Sequence, residues 1–366
     1  MKYIINREQL LVPLQQIVSV IEKRQTMPIL SNVLMVFREN TLVMTGTDLE
    51  VQIVTEIAIE NTTFAEITLP ARKFLDICRL LPTGADIKLE VADDKVKVLS
   101  GRSRFILSTL PAENYPEFSE TELDHRFTIN AGLFKKALEK TVFCMASQDV
   151  RYYLNGLLLN ISNSRIKLVA SDGHRLSVFE DNLANPAGYE ARIILPRKGV
   201  MELVRLLDDP QIQLAIEFSS NNIRVTINNT IFSAKLVDAK YPDFNRVFHQ
   251  DFLTPIHIQR QLLKDALTRV AILSNEKYKG VTFDLSSDSL KISAHNPEHE
   301  EAEEEIVTDY VGEPLSIAFN VQYVLDAISN IDSEISELTI ASNSSCCIID
   351  EPETRSYRFI VMPMRL

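Results

Sequence analysis

Cysteine is scarce in this chain of 366 residues: Cys78, Cys144, Cys346 and Cys347 are the only four. Two are adjacent and the spacing fits no zinc pattern, so they read as reduced core or strand residues. No apolar run approaches the length of a membrane span. The opening segment, Met1-Lys-Tyr-Ile-Ile-Asn6, lacks a signal-peptide apolar region, so a cytoplasmic chain with no membrane partner is expected. Positive charge is in deficit: 38 Lys and Arg against 50 Asp and Glu give −12. An acidic protein is not the default nucleic-acid binder, so any such role must come from how the charge is distributed. The remainder is ordinary for a globular chain with two or three cores: 45% hydrophobic residues and a mean hydropathy of −0.01.

What is present is a phrase written more than once. In Leu195-Pro-Arg-Lys-Gly-Val-Met-Glu-Leu-Val-Arg-Leu-Leu207, Val200, Leu203, Val204 and Leu207 fall at i, i+3, i+4 and i+7, one face of an α-helix. Lys198, Glu202 and Arg205 fall on the other side. Proline near the first turn suits a helix start, because its missing N–H has no partner there. Leu69-Pro-Ala-Arg-Lys-Phe-Leu-Asp-Ile-Cys-Arg-Leu-Leu81 repeats the phrase 126 positions earlier, and Phe319-Asn-Val-Gln-Tyr-Val-Leu-Asp-Ala-Ile-Ser-Asn330 keeps its rhythm 124 positions later. Asp48, Asp172 and Asn296, each after a short apolar strand, are spaced by 124; Phe105, Phe232 and Phe359 by 127. Tyr115-Pro-Glu-Phe118 returns as Tyr241-Pro-Asp-Phe244. Such a period is too long for a solenoid and has the size of a domain. Three homologous units are expected, at 1–124, 125–253 and 254–366.

Within each unit the pattern reads strand, helix, three strands, written twice. In the first, a strand at 3–5 leads to a helix with Leu14, Ile17, Val18 and Ile21 on one face, then strands at 33–37, 42–46 and 52–59. A strand at 65–69 feeds the helix at 72–81, followed by strands at 87–91, 95–99 and 104–109, and an acidic linker at 117–124. The second unit opens at 127–129 with a helix using Phe134, Ala137, Leu138 and Thr141. The third uses Leu263, Ala266, Leu267 and Val270, then Val324, Ala327, Ile328 and Ile331. The fold class is therefore α+β, six equivalent helices each covering one face of an antiparallel sheet.

Over the six helical windows, 13 basic and 6 acidic residues give +7, which leaves −19 for the rest of the chain. A solvated face explains any one helix. Segregation over the set suits phosphate tracking without base readout.

Two clusters invite chemistry. Ser171, Asp172 and His174 contain the residue types of a hydrolytic triad, but no Gly-x-Ser-x-Gly elbow is present and residues so close in sequence rarely converge that way. Asp172-Gly173 also suits a plain turn. An enzyme of three pseudo-repeats with a site near His174 stays as the alternative to a binding protein. In His295-Asn-Pro-Glu-His-Glu-Glu-Ala-Glu-Glu-Glu-Ile306, two histidines among carboxylates suggest a metal, yet Pro297 disrupts a helical i, i+4 pair and no ligand motif supports it. A solvated charge run accounts for it, and no metal or cofactor is expected.

Thr45-Gly-Thr-Asp-Leu-Glu50, Val150-Arg-Tyr-Tyr-Leu-Asn-Gly156, Ser171-Asp-Gly-His-Arg-Leu176, Ile272-Leu-Ser-Asn-Glu-Lys277 and Val361-Met-Pro-Met-Arg-Leu366 resemble the bacterial DNA polymerase III β sliding clamps. The resemblance covers the whole chain. It implies three similar domains per subunit and two subunits closed head to tail into a ring, helices lining the hole and sheets outside. It implies a non-catalytic processivity factor of DNA replication that slides on duplex DNA irrespective of sequence. Implied partners are the DNA polymerase III alpha subunit, the clamp loader delta subunit, and other polymerases and repair proteins that carry short clamp-binding peptides.

The same resemblance assigns residues. DNA contacts would be Arg24, Arg72, Arg79, Gln148, Tyr152, Tyr153, Arg197, Lys198 and Arg246, although the two tyrosines could equally pack a core as strand residues. A cleft for partner peptides would be walled by Arg151, Leu154, Ser171, Gly173, His174, Arg175 and Leu176. Pro242, Arg246, Val247, Asn320 and Tyr323 continue it, and the tail Val361, Met362, Pro363, Met364 and Arg365 completes it, flexible thioethers suiting varied ligands. The dimer edge would set Glu298, Glu300, Glu301, Glu303 and Glu304 against Lys73, Lys95, Arg102 and Arg104 of a second copy. Phe105 and Leu107 would then pack near Ile272 and Leu273. Three positions depart from the family pattern: Ser147 where histidine is expected, Tyr278 where phenylalanine is expected, and a basic Lys23.

Overall fold

The computed structural model describes residues 2–22, 27–60, 63–92, 94–118, 122–353 and 355–365. Among these it has six α-helices and 24 strands, in six strand–helix–three-strand blocks. The first block is β1 (Lys2–Asn6), α1 (Arg7–Val20), β2 (Asn32–Arg38), β3 (Thr41–Thr47) and β4 (Val51–Ala58); the second is β5 (Ala65–Pro70), α2 (Ala71–Leu80), β6 (Asp86–Ala92), β7 (Lys95–Ser100) and β8 (Ser103–Ser108). The third is β9 (His125–Asn130), α3 (Ala131–Val142), β10 (Gly156–Ser162), β11 (Arg165–Ser171) and β12 (Arg175–Asn182). The fourth is β13 (Glu190–Pro196), α4 (Arg197–Leu206), β14 (Gln213–Phe218), β15 (Asn222–Ile227) and β16 (Thr230–Lys235). The fifth is β17 (Ile256–Gln259), α5 (Arg260–Val270), β18 (Gly280–Ser286), β19 (Ser289–His295) and β20 (Glu301–Val307). The sixth is β21 (Leu315–Asn320), α6 (Val321–Ser329), β22 (Ile335–Ile340), β23 (Cys347–Asp350) and β24 (Tyr357–Val361).

The helical stripes read from the sequence are buried, apart from half-buried Val204 in α4: Leu14, Ile17 and Val18 in α1, Phe134, Ala137, Leu138 and Thr141 in α3, Leu263, Ala266, Leu267 and Val270 in α5. Local chemistry starts α1. Asn6 Oδ1 accepts from Glu8 N at 3.0 Å and Gln9 Oε1 accepts from Asn6 N at 3.3 Å, a reciprocal cap that satisfies donors the first turn leaves open. Two expectations change in detail. Pro70 and Pro196 close strands β5 and β13 and stand one residue before their helices. Glu202, placed on the outer face of its helix by periodicity, is 3% exposed, and its Oε1 accepts from Arg205 at 2.7 Å. The contact with a basic residue one turn on lets the carboxylate sit inward.

The chain divides into two compact units, residues 1–135 with 198–238, and residues 136–197 with 239–366. The first holds a four-stranded sheet, β1-β6-β7-β8, and an eight-stranded sheet, β5-β2-β3-β4-β16-β15-β14-β9. The second holds an eight-stranded sheet, β13-β10-β11-β12-β24-β23-β22-β17, and a four-stranded sheet, β20-β19-β18-β21. Each eight-stranded sheet is thus two four-stranded halves joined at a seam. In one, β4 pairs antiparallel with β16, with Ile53 opposite Phe232. In the other, β12 pairs antiparallel with β24, with Ser177 opposite Phe359. In the repeat order β20 holds the place of β4 and β12, and β8 the place of β16 and β24; each lies at the end of a four-stranded sheet.

Candidate functional site

Three turns carry the residues singled out by the 124-residue spacing. Strands β3, β11 and β19 end at Thr47, Ser171 and His295, and the next side chain organises the turn. Asp48 Oδ1 accepts from Glu50 N and Val51 N at 2.9 and 2.7 Å. Asp172 Oδ1 accepts from His174 N and Arg175 N at 2.9 and 3.0 Å. Asn296 Oδ1 accepts from Glu298 N and Glu300 N at 3.1 and 3.0 Å. A short side chain bonding the backbone two residues on is the reason Asp or Asn recurs here. The same bonds count against a triad. Ser171 Oγ donates to Arg175 O at 2.7 Å and accepts from Gly173 N, while the Asp172 carboxylate holds Arg175 rather than a histidine.

Arg175 is the hub of the second turn. Its side chain is 13% exposed and donates to Asp172 Oδ2 at 2.9 Å and Asp326 Oδ2 at 2.6 Å. The guanidinium also lies 4.5 Å from the Tyr323 ring centroid, a cation–π distance. The exposed His174 ring stacks on the same tyrosine, centroids 6.4 Å apart. Arg151 forks onto Asp149 at 2.9 and 3.0 Å, holding that carboxyl down at about 2, and donates to Asp172 O at 3.2 Å. A Cβ on Gly173 would lie 2.8 Å from this guanidinium, and its φ of +88° suits glycine.

The chain's end runs along this turn. Met362 N donates to His174 O at 2.9 Å and Met364 N donates to Ala318 O at 2.8 Å. Pro363, with no N–H, interrupts the ladder between these bonds. Met362, Pro363 and Met364 are half-buried and Arg365 is exposed, whereas Leu154, Leu176 and Val361 lie below the surface. Asn320 caps α6 and donates to Tyr278 O at 3.3 Å. The fold therefore gathers Arg151, Ser171, Gly173, His174, Arg175, Asn320, Tyr323 and the tail methionines. Pro242 borders a cavity of about 600 Å³ with Leu158, Ile194 and Tyr241; Val247 is half-buried, and Arg246 is exposed beside Asp243 at 3.6 Å. A further cavity of about 380 Å³ was not anticipated: Asn275, Tyr278, Gly280, His295, Asn296 and Pro297 line it together with Met364 and Arg365. The tertiary bridge between Ala318 and Met364 brings the tail to it.

The cations proposed for DNA share a structural habit. Arg72, at the start of α2, donates to Ile21 O at 2.5 Å, beyond the end of α1. Arg197, at the start of α4, donates to Met145 O at 2.9 Å, beyond the end of α3. Lys198 donates to Val20 O and Glu22 at 3.0 Å each and pairs with Asp48. Burial pulls its ammonium down, but the hydrogen bonds to Asp48 and Glu22 hold it above the usual lysine range. Arg79, Gln148 and Tyr152 are exposed and Tyr153 is half-buried; the tyrosines lie on a short 3₁₀ turn, not a strand. Arg24 and Lys23 lie outside the described residues.

At the strand edges, Phe105 is half-exposed, whereas its seam counterparts Phe232 and Phe359 are 0% and 1% exposed. Leu107 is buried, Leu273 half-buried and Ile272 76% exposed. Lys73, Lys95, Arg102 and Arg104 are exposed, as are Glu298, Glu300 and Glu301. Two of the glutamates have cations within the chain: Glu303 pairs with Lys291 at 2.6 Å and Glu304 with Arg269 at 2.6 Å. Among the described residues no group of His, Cys, Asp and Glu could hold a metal, and no helix is long and apolar enough to cross a membrane.

Repeated blocks, seamed sheets and spare edges define a class of protein built by joining like domains edge to edge. Comparison with known proteins places the chain within it. Residues 1–119, 128–243 and 245–365 match the N-terminal, central and C-terminal domains of the DNA polymerase III beta subunit. The chain is similar to the beta sliding clamp of Pseudomonas putida, 44% identical over 369 residues and covering all of both chains. It is 42% identical over 367 residues to the beta sliding clamp of Escherichia coli K12, again with full coverage of both. A solved sliding clamp from Pseudomonas aeruginosa, bound to griselimycin, aligns over 100% of both chains at 43% identity and a TM-score of 0.96. The chain belongs to the DNA polymerase III beta subunit family, the β sliding clamps. Members are non-catalytic processivity factors, and the enzyme reading near His174 falls away.

Proposed function

We propose that two copies of this chain close head to tail into a ring around duplex DNA and tether polymerases to it, in the cytoplasm. Each chain then contributes three clamp domains, at 1–124, 125–253 and 254–366. The observation that carries this reading is the third pair of edges. Two seams of one kind are made within the chain, β4 with β16 and β12 with β24. The remaining equivalents, β20 and β8, have no such partner in their sheets, and Phe105 on β8 is half-exposed where its counterparts are sealed. A second copy supplies the missing seam at both ends.

Basic residues on the helices, Arg72, Arg79, Arg197 and Lys198 with Arg24, would contact phosphates without reading bases. Because several of them also anchor helix ends, they hold their charge in place with little side-chain freedom left to lose. The turn at residues 171–175 and the tail at residues 361–365 would receive short partner peptides. His174, Tyr323, Met362 and Met364 supply apolar and aromatic surface, and Arg151 and Asn320 a polar rim. The test is retention on DNA: the protein should stay on nicked circular duplex and run off linear duplex of the same length. Equal loss from both would overturn the ring.

A further inference from the structure

A cavity of about 330 Å³ in the first unit is lined by apolar Val12, Pro13, Leu206 and Ile212 and by the polar residues Gln16, Thr55, Asp208 and Thr230. The internal repeat shows what its counterpart contains. Positions 124 residues on from Val12, Gln16 and Asp208 are Lys136, Lys140 and Asp332; the position 127 on from Thr230 is Tyr357. In the second unit these residues come together. Lys140 is 7% exposed, donates to Asn330 O and to Asp332 Oδ1 at 2.5 Å, and stands 4.4 Å from the Tyr357 ring centroid. Lys136 reaches the other Asp332 oxygen at 3.1 Å. The first unit keeps the carboxylate, and Asp208 lines the cavity with Asp209. Both lysines and the aromatic ring are replaced by Val12, Gln16 and Thr230. Thr55 Oγ1 and Thr230 Oγ1, both in the lining, hydrogen-bond to each other at 3.1 Å.

We infer that this cavity is a binding site for a small primary amine on an apolar or aromatic stem, whose ammonium meets Asp208 as the Lys140 ammonium meets Asp332. The filled copy specifies the ligand: an ammonium for the carboxylate, a carbon stem along the helix, and a ring at the position of Tyr357. An apolar wall of Val12, Leu206 and Ile212 suits the stem. An anion is disfavoured by Asp208 and Asp209, and a fully hydrated metal ion gains nothing from the apolar wall.

The experiment uses the full chain and 2-phenylethylamine as probe, with 2-phenylethanol as its neutral counterpart. Binding is followed by titration calorimetry and ligand-observed NMR. The amine should bind and the alcohol should bind at least about tenfold more weakly, the scale of one lost charge-assisted hydrogen bond. Gln16→Lys, which restores the filling side chain of the second unit, should abolish amine binding and raise the melting temperature. Asp208→Asn should weaken the amine about tenfold and leave the alcohol unchanged. If Gln16→Lys does not fold, Asp208→Asn decides alone. Amine binding that survives both substitutions, or equal binding of amine and alcohol, would overturn the site and mark general attraction to an acidic surface.

Discussion

At the scale of single residues, the second unit concentrates its electrostatics in a few places, and one of them makes stability depend on pH. Asp350 and Glu337 face each other across β22 and β23, 4% and 6% exposed. Burial first, then the Glu337 charge, pushes the Asp350 carboxyl up to about 7, and its Oδ1 has no hydrogen-bond partner among the described residues. The folded state therefore holds a proton that the unfolded chain releases near the ordinary value of 3.8, so stability falls as pH rises from about 4 through about 7. His257 adds in the same sense: its hydrogen bond to Asp309, followed by that to Glu337, raises its pKa, and that contribution is lost as pH climbs past it. Asp350→Asn should flatten the decline in melting temperature between pH 5 and 8 and stabilise the protein at pH 8, by about 2–4 °C per kcal/mol recovered. An unchanged pH profile in differential scanning calorimetry would exclude Asp350 as the source. Arg175 makes the opposite case. Arg175→Ala strands two carboxylates, Asp172 and Asp326, 16% and 29% exposed. The expected cost is about 2–4 kcal/mol in denaturant unfolding, with weaker binding of partner peptides because Tyr323 loses its support.

At the scale of elements, the third seam proposed between two copies would have a definite register. The turn between β19 and β20 is one residue longer than those between β3 and β4 and between β11 and β12, as the pairings His295 with Glu301, Thr47 with Gln52, and Ser171 with Leu176 show. Carrying the two internal seams over with that extra residue sets Ala302 opposite Phe105 and Glu303 opposite Arg104 of the second copy. The faces agree: Ala302 and Phe105 are both half-buried, and Glu303 and Arg104 are both exposed. A slip by one residue would oppose a core-facing residue to a solvent-facing one, which the pleat forbids. Phe105→Cys with Ala302→Cys should form an intermolecular disulfide on oxidation, seen as a covalent dimer on a non-reducing gel. Shifting the second cysteine to Glu301 should reduce the yield several-fold. Ile272→Ala with Leu273→Ala should loosen the same junction, removing roughly 3–6 kcal/mol of apolar burial and giving a folded monomer in sedimentation at low concentration.

At the scale of the whole molecule, charge is the organising quantity. The chain carries −12, yet its helices carry an excess of basic residues. In the proposed ring an acidic exterior would limit non-specific adhesion to nucleic acid, while cations confined to the hole would still release counterions from duplex DNA. Arg72→Ala with Arg197→Ala should weaken DNA association about equally for all sequences and flatten its dependence on salt. A strong preference for one duplex sequence would argue against a sliding surface.

The sequence by itself determined the repeat, the six helical stripes and the three capped turns, because periodicity, side-chain length and turn chemistry are local properties. Leu263, Ala266, Leu267 and Val270 are buried because their spacing leaves one face to bury. The proposed peptide site was legible only through family resemblance, since Met362 and Met364 gain their neighbours through hydrogen bonds to His174 and Ala318, far away in the chain. Tertiary structure alone decided three things. It drew Glu202 inward, turned Lys140 from a surface charge into a buried clamp on Asp332, and left the matching cavity open beside Asp208. The last two depend on which residue a distant segment brings near, and no local pattern encodes that.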